Sequence, residues 1–286
     1  MHSLRLVLAS VTMPLHNTIK RQLRVRPYGL SVALRLYISY AISLMVKIIT
    51  PGRFTSVGHL IPGKRLLTVS IDGIVARLRP HTGDLGMLAG TGETETIQWF
   101  RVSPGEVVVD VGAHIGLYTL VAARSGARVI AIEPVPSNFE ILKGNVELNR
   151  FSNVNAIPIA ISNSKGRRTL YLSGMGDTAT SSLEDGWTSK VEHNAARQAI
   201  EVPCVSLDDL MVSISLDSLD WLKIDVEGHE VRVLEGGSAT LRRTKRLILE
   251  VSRGNERSCM AHLTKAGLHV ASVERGVETS NWLLVR

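Results

Sequence analysis

The segment LKIDVEGHE carries Asp225, Glu227 and His229, three groups able to hold or move a proton, where a short apolar run gives way to a glycine and a helical pattern. A carboxylate or imidazole in that place can orient a substrate hydroxyl, or take its proton while a group is transferred to the oxygen. Acids at alternate positions of an extended chain point the same way. Asp225 and Glu227 therefore share one task or one divalent metal ion, and the spacing leaves metal use open. Each residue also has a plain structural role: Glu227 complements the dipole of the following helix, Asp225 forms the turn, and His229 belongs to the first helical turn. Glu250, near the end of LILEVS, is a further polar group at the same rim.

A second constellation lies upstream. VVVDVGAHIG places Asp110, Gly112, Ala113, His114 and Gly116 on a strand-to-helix turn, and Glu133 follows seventeen residues after Gly116, at the end of RVIAIE. Gly112 leaves room for a nucleoside to approach the backbone, and free N–H groups at the helix start suit an anion. A carboxylate at Glu133 can take both vicinal hydroxyls of a ribose. The dinucleotide fingerprint is G-x-G-x-x-G; here the order is G-x-x-x-G, with Asp110 two residues before the first glycine. An acid there suits a cofactor carrying an ammonium, such as the methionine part of S-adenosylmethionine, and does nothing for a pyrophosphate. A nicotinamide oxidoreductase is the competing reading, weakened by the missing third glycine. A non-catalytic, membrane-associated module on the same fold is another, weakened by the acids after the fourth strand.

These residues need a scaffold of alternating elements. From Glu106 the chain reads as EVVVDVG strand, IGLYTLVAARSG helix, RVIAIEP strand, PSNFEILKGNVELN helix, NVNAIPIAIS strand, WLKIDVEG strand, a helix from GHEVRVLEGG, RLILEVS strand, NERSCMAHLTKAG helix, then LHVASVE and NWLLVR strands. Such alternation predicts an α/β fold with a mostly parallel sheet covered by helices on both faces. The last two strands are too close for a parallel crossover, so they pair as an antiparallel hairpin at the sheet edge. Ligands in such sheets bind at the carboxyl ends of the strands, where both constellations lie. Residues 66–80 read as a hairpin around Asp72-Gly73. The polar segment 173–200, with Trp187 and His193, interrupts the alternation. Asp208 and Asp209 read as helix-start acids and Cys204 as a small core residue.

The charge is unevenly spread. Residues 1–71 hold ten Lys and Arg and no acid, whereas residues 72–286 hold 23 basic and 26 acidic residues. The main domain therefore lacks the electrostatic footprint of a nucleic-acid binder. Two cysteines make neither a disulfide framework nor a four-ligand zinc site, which fits a cytoplasmic, reducing setting. The chain divides into a basic N-terminal helical segment, 1–65, and a main domain, 66–286. The apolar run LYISYAISLMV, 36–46, is bracketed by Arg35 and Lys47. It is short for a span of about 20 residues. Three placements follow: on an anionic membrane surface at its inner face through residues 1–50, packed on the main domain, or as a marginal span.

Taken together, VVVDVGAHIGLYTL, AIEPVPSNFEILKGNVELN, VSLDDL, LDWLKIDVEGHEVRVLEGG and LILEVS resemble the FkbM-type family of S-adenosylmethionine-dependent methyltransferases, over about residues 66–286. The resemblance implies a class I methyltransferase fold, a seven-stranded Rossmann-like sheet with an antiparallel last strand. It also implies methyl transfer, usually to an oxygen of a sugar, glycan, glycolipid or natural product. Carried over residue by residue, the cofactor turn is Asp110, Gly112, Ala113 and Gly116, with Glu133 as the ribose acid; the second motif is Lys223, Asp225, Glu227, Gly228 and Glu230. His114 stands where the family commonly has asparagine. Related sugar O-methyltransferases hold a divalent metal with acids after the fourth strand, at a spacing this chain does not closely reproduce.

Overall fold

The computed structural model describes residues 24–49, 57–90, 93–174, 180–184 and 198–286, without the side chains of Lys47 and Ile48. The chain forms two compact units, residues 1–94 and 95–286.

In the first unit the expected hairpin forms from β2 (Leu67–Ile71) and β3 (Ile74–Leu78). Asp72 and Gly73 both take positive φ at its turn, as a two-residue type I′ connection requires. A strand not foreseen from sequence, β1 (Val25–Pro27), pairs antiparallel on β2. The hairpin thus groups with the N-terminal elements rather than with the main domain expected from residue 66 onward. Helix α1 (Leu30–Ile49) covers the apolar run. Its buried line is Leu36, Ser39 and Ser43, while Leu30, Leu34 and Tyr37 are 90%, 62% and 66% exposed. Arg35 anchors it by donating to the Pro62 and Arg65 carbonyls. The helix is therefore amphipathic in the reverse sense, with serines inward and large apolar groups outward. No helix among the described residues is long and apolar enough to cross a membrane. A short helix α2 (Asp84–Leu88) follows.

The second unit begins with α3 (Thr96–Trp99) and is built on a seven-stranded sheet. Its strands are β4 (Val107–Val111), β5 (Arg128–Ile132), β6 (Val154–Ile157), β10 (Leu219–Ile224), β11 (Thr244–Ser252), β12 (His269–Arg275) and β13 (Thr279–Val285). The order is β12-β13-β11-β10-β4-β5-β6. Only β13 runs antiparallel to its neighbours, pairing with β12 at the edge and with β11, as the short final connection requires. From β4 the chain winds outward through β5 and β6, and later outward the other way through β10 and β11. The switch point, where such sheets bind ligands, falls between β4 and β10.

Consecutive residues of the buried strands face opposite layers. Val108, Val129, Trp221 and Ile248 pack with Phe100, Tyr118 and Ala122. Val109, Ile130, Leu222 and Leu247 pack with Leu207, Val233, Leu234 and Leu263. The first layer includes α4 (Leu117–Arg124), and the second includes α6 (Leu207–Ser213), α7 (Glu230–Glu235), α8 (Ser238–Leu241) and α9 (Glu256–Lys265). Helix α5 (Pro136–Leu148) starts with proline, whose fixed φ suits the first turn. Ser206 caps α6 by accepting from Asp209 N–H, and the Asp208 carboxylate takes the backbone N–H groups of Ala239 and Thr240 in α8.

NVNAIPIAIS, expected as one strand, is two. Proline has no N–H for a ladder, and the run breaks at Pro158 into β6 and β7 (Ala160–Ser162). Strand β7 leaves the main sheet and joins β8 (Gly166–Leu172) and β9 (Gln198–Ser206) in a second sheet of order β7-β9-β8. Cys204 lies in the core of this side sheet with Val135, Ala160, Leu170 and Val202. Trp187 and His193 lie outside the described residues.

Candidate active site

At the switch point the backbones of the two motifs touch. Gly112 has φ +80, and a Cβ built there would lie 1.8 Å from the Asp225 carbonyl oxygen. Asp225 N–H in turn donates to Val111 O at 3.0 Å. Glycine is thus required by the protein's own chain, before any nucleoside is considered. The Gly112 and Ala113 N–H groups both donate to Ile132 O. His114 takes φ 51, a left-handed conformation that histidine, like asparagine, visits more readily than most residues. Gly116 follows at φ +106 and precedes α4.

Two acids hold this turn. Glu133 is buried, and its Oε2 accepts from His114 N–H at 2.7 Å while Oε1 accepts from Val135 N–H at 2.9 Å. Burial pushes its carboxyl up to about 7, against the lowering effect of those N–H donors and of Asn138. Asp110 is wholly buried, and its Oδ2 accepts from Thr119 Oγ1 at 2.7 Å. Its Oδ1 has no hydrogen-bond partner among the described residues. Burial raises its pKa, and the Lys223 ammonium lowers it. A buried acceptor left open normally has an explanation. Two helix residues that sequence reasoning passed over support the turn: Asn138 reaches Glu133, and Asn145 donates to Ile115 O at 3.0 Å. Their spacing of seven on α5 was the available signal.

Across the crevice, Asp110 stands beside Lys223 in register. Lys223, almost buried, pairs with Asp225 at 2.9 Å and lies 4.8 Å from the Tyr118 ring centroid. Beyond β10 the chain leaves the extended conformation. Glu227 has φ 52 and Gly228 φ 95, so strand alternation is not what aligns Asp225 with Glu227. The turn does, and it brings in Glu250: one carboxylate oxygen from each of the three acids lies within 4.8 Å of the others. An all-oxygen donor set of this kind suits a hard cation such as Mg²⁺ or Mn²⁺.

His229 and Glu230 do not join that cluster. Glu230 is fully buried and saturated, accepting from Gly228 N–H, Ser252 Oγ and Asn255 Nδ2. It welds the turn to the end of β11. His229 is buried with Glu184 on Nδ1 and Ser162 on Nε2. It was expected beside the acceptor, but its ring is committed to those two partners.

A mostly parallel sheet of this order, with β13 antiparallel, a glycine turn after β4, an acid after β5 and acids after β10, defines the fold of a class I S-adenosylmethionine-dependent methyltransferase. A model of the methyltransferase FkbM domain matches residues 110–269, and the chain belongs to that family. The chain is 33% identical over 175 residues to the 31-O-demethyl-FK506 methyltransferase FkbM of Streptomyces tacrolimicus, covering 53% of this chain and 67% of that protein. It is 25% identical over 213 residues to the 2-O-methyltransferase NoeI of Sinorhizobium fredii, covering 70% of this chain and 82% of that protein. Among solved structures it resembles the methyltransferase FkbM of Methylobacillus flagellatus at 18% identity and a TM-score of 0.44, covering 64% of this chain and 44% of that one.

Two outcomes follow from this geometry. Gly112→Ala should cost roughly 2–4 kcal/mol through left-handed strain and overpacking. His114→Asn should leave the melting temperature in place, whereas His114→Val should lower stability by about 1–2 kcal/mol. Thermal denaturation of the three variants reads this, and a normal Gly112→Ala would contradict the close approach. The second outcome concerns pH. If Glu133 holds the ribose, both hydroxyls need its ionised form, so S-adenosylhomocysteine affinity should be flat above its pKa of about 7 and fall below it. The fall should approach about tenfold per pH unit. For the free protein the sign is opposite. The raised pKa disfavours the ionised folded state, so this group's contribution to stability is lost as pH rises from 4.5 to about 7. Calorimetric titration across that range, with Glu133→Gln abolishing the slope, checks the assignment; a flat wild-type profile would remove it.

Proposed function

We propose that the chain methylates a hydroxyl oxygen of a small-molecule or glycan acceptor, with Asp225 and Glu227 at the receiving oxygen. The observation that carries this reading is the convergence of Asp225, Glu227 and Glu250, at the rim next to the turn that Asp110, Gly112, Ala113, His114, Gly116 and Glu133 build. Two relatives named for O-linked positions support oxygen as the acceptor atom. Bound S-adenosylmethionine supplies an electrophilic methyl on a sulfonium. In this reading Glu133 holds the ribose and Asp110 the ammonium. The Asp225–Glu227 pair would orient the acceptor hydroxyl toward that methyl and take its proton, S-adenosylhomocysteine leaving as the other product. Lys223, paired with Asp225, fixes that carboxylate in place. The slight negative balance of residues 72–286 gives no support to a nucleic-acid acceptor.

A second reading concerns location. We infer that α1 attaches the protein to an anionic membrane surface, at the cytoplasmic face. The outward arc of Leu30, Leu34, Tyr37, Leu44 and Met45 is exposed, and the ten cations of residues 1–71 have no acid among them. Apolar insertion and cation–headgroup attraction, on the order of 1 kcal/mol per basic residue, act together on such a surface.

Release of S-adenosylhomocysteine, assayed over a panel of methyl glycosides and hydroxylated macrolactones, tests the first reading. Asp225→Asn and Glu227→Gln should each lose about 10²–10⁴ in rate while binding S-adenosylhomocysteine as before. Wild-type rates in both would make the acids structural. A chelator in the same assay separates the two modes: a rate loss restored by Mg²⁺ assigns the acids to a metal, and an unchanged rate assigns them to the proton. For the second reading, the full chain should sediment with phosphatidylserine vesicles and be partly released by high salt. The double variant Leu34→Glu, Met45→Glu should stay in the supernatant; equal sedimentation of both would contradict the assignment.

A further inference from the structure

Residues 180–184 touch the turn after β10 at two points. Ser182 Oγ donates to the Glu227 carbonyl at 2.5 Å and accepts from Glu184 N–H at 3.0 Å. Glu184 Oε1 lies 2.6 Å from His229 Nδ1, and His229 Nε2 lies 2.8 Å from Ser162 Oγ on β7. The segment is anchored on its other side as well. Ser182 exchanges both backbone hydrogen bonds with Tyr171 of β8, at 2.8 and 3.0 Å, and Leu183 packs on the side-sheet core that includes Val135, two residues beyond Glu133.

Glu184, His229 and Ser162 have the connectivity of an acid–base–nucleophile triad. Ser162 is a wholly buried residue of β7. The network instead holds a strained turn. Glu227 sits at φ 52, which costs a non-glycine residue roughly 1–2 kcal/mol, and such a conformation persists only where its surroundings over-determine it. The carbonyl that Ser182 takes belongs to Glu227 itself. Relaxing Glu227 toward ordinary φ would rotate that carbonyl off Ser182 and carry the carboxylate away from Asp225 and Glu250.

We propose that Ser182, Glu184 and His229 form a clasp that fixes the left-handed conformation of Glu227, and so are positioning residues for the acceptor-side carboxylates. The functional part rests on the reading that Glu227 serves the acceptor oxygen; the conformational part does not. The hydrogen bond from His229, which holds the Glu184 carboxyl below its usual range, is consistent with a stable contact.

The test is NMR of the full chain labelled with ¹³C,¹⁵N-glutamate, in which the backbone ¹³Cα and ¹³Cβ shifts and scalar couplings of Glu227 report its φ, Glu227 being assigned by its loss in Glu227→Gln. In the wild type these should carry the signature of a left-handed residue, and the carboxylate meets those of Asp225 and Glu250. Glu184→Gln and Ser182→Ala should each shift them toward the values of ordinary φ, and Ser182→Thr, which keeps the hydroxyl, should restore them. Glu184 is 46% exposed, so Glu184→Gln folds even where Ser182→Ala does not. A left-handed Glu227 signature unmoved in folded Glu184→Gln overturns the clasp. Normal methyl transfer by Glu227→Gln would instead overturn the catalytic reading and leave the clasp standing, so the two failures are distinguishable.

Discussion

The contact on which the rest of the site depends is between two backbones. Gly112 meets the Asp225 carbonyl so closely that a methyl group cannot enter. This contact closes the top of the crevice between β4 and β10 and sets the turn after β4 beside the turn after β10. Neither could be reached from the other if the strands splayed by the width of one side chain. The left-handed conformations of Gly112, His114 and Gly116 on one side, and of Glu227 and Gly228 on the other, are the two chains turning away from each other immediately after that contact.

Around it the protein distributes negative charge unequally. Glu230 is buried and saturated by three donors, so it contributes rigidity without chemistry. Asp110 is as deeply buried but keeps one oxygen open, and Glu133 is held by backbone N–H groups on both oxygens while burial raises its pKa. Lys223 stands between Asp110 and Asp225 and offsets part of the repulsion that three neighbouring acids would otherwise create. Acids with perturbed environments in one cleft are what a working site requires. The same motif thus contains residues that hold the turn and residues that face the crevice.

The sheet was legible in the sequence because its strands are buried on both faces and read as β-branched runs ending in glycine or an acid. The antiparallel end was legible from the short link between LHVASVE and NWLLVR. The side sheet was not. Its central strand β9 contains Pro203, which argues against a central strand, and its partner β8 opens with two adjacent cations, Arg167 and Arg168, on a largely exposed stretch. Pro158 ended a strand where a continuous apolar run suggested none. At the site, residue types and order indicated Asp110, Gly112, Glu133, Asp225 and Glu227 as candidates. The spacing could not show that Glu250 would meet the last two, since that convergence comes from the left-handed turn. Nor could it show that His229 would be drawn away by Glu184, which lies 45 residues upstream.

The proposed function requires a nucleoside cofactor in the crevice closed by Gly112, with Asp110 and Glu133 as its two polar anchors. A crystal structure of the full chain with S-adenosylhomocysteine tests this most directly. The ribose hydroxyls should lie within hydrogen-bond distance of the Glu133 carboxylate, the ligand ammonium should complete Asp110 Oδ1, and the sulfur should face Asp225, Glu227 and Glu250. A ligand seated elsewhere, with Asp110 still bonded only to Thr119 and Glu133 only to backbone N–H groups and Asn138, would contradict it.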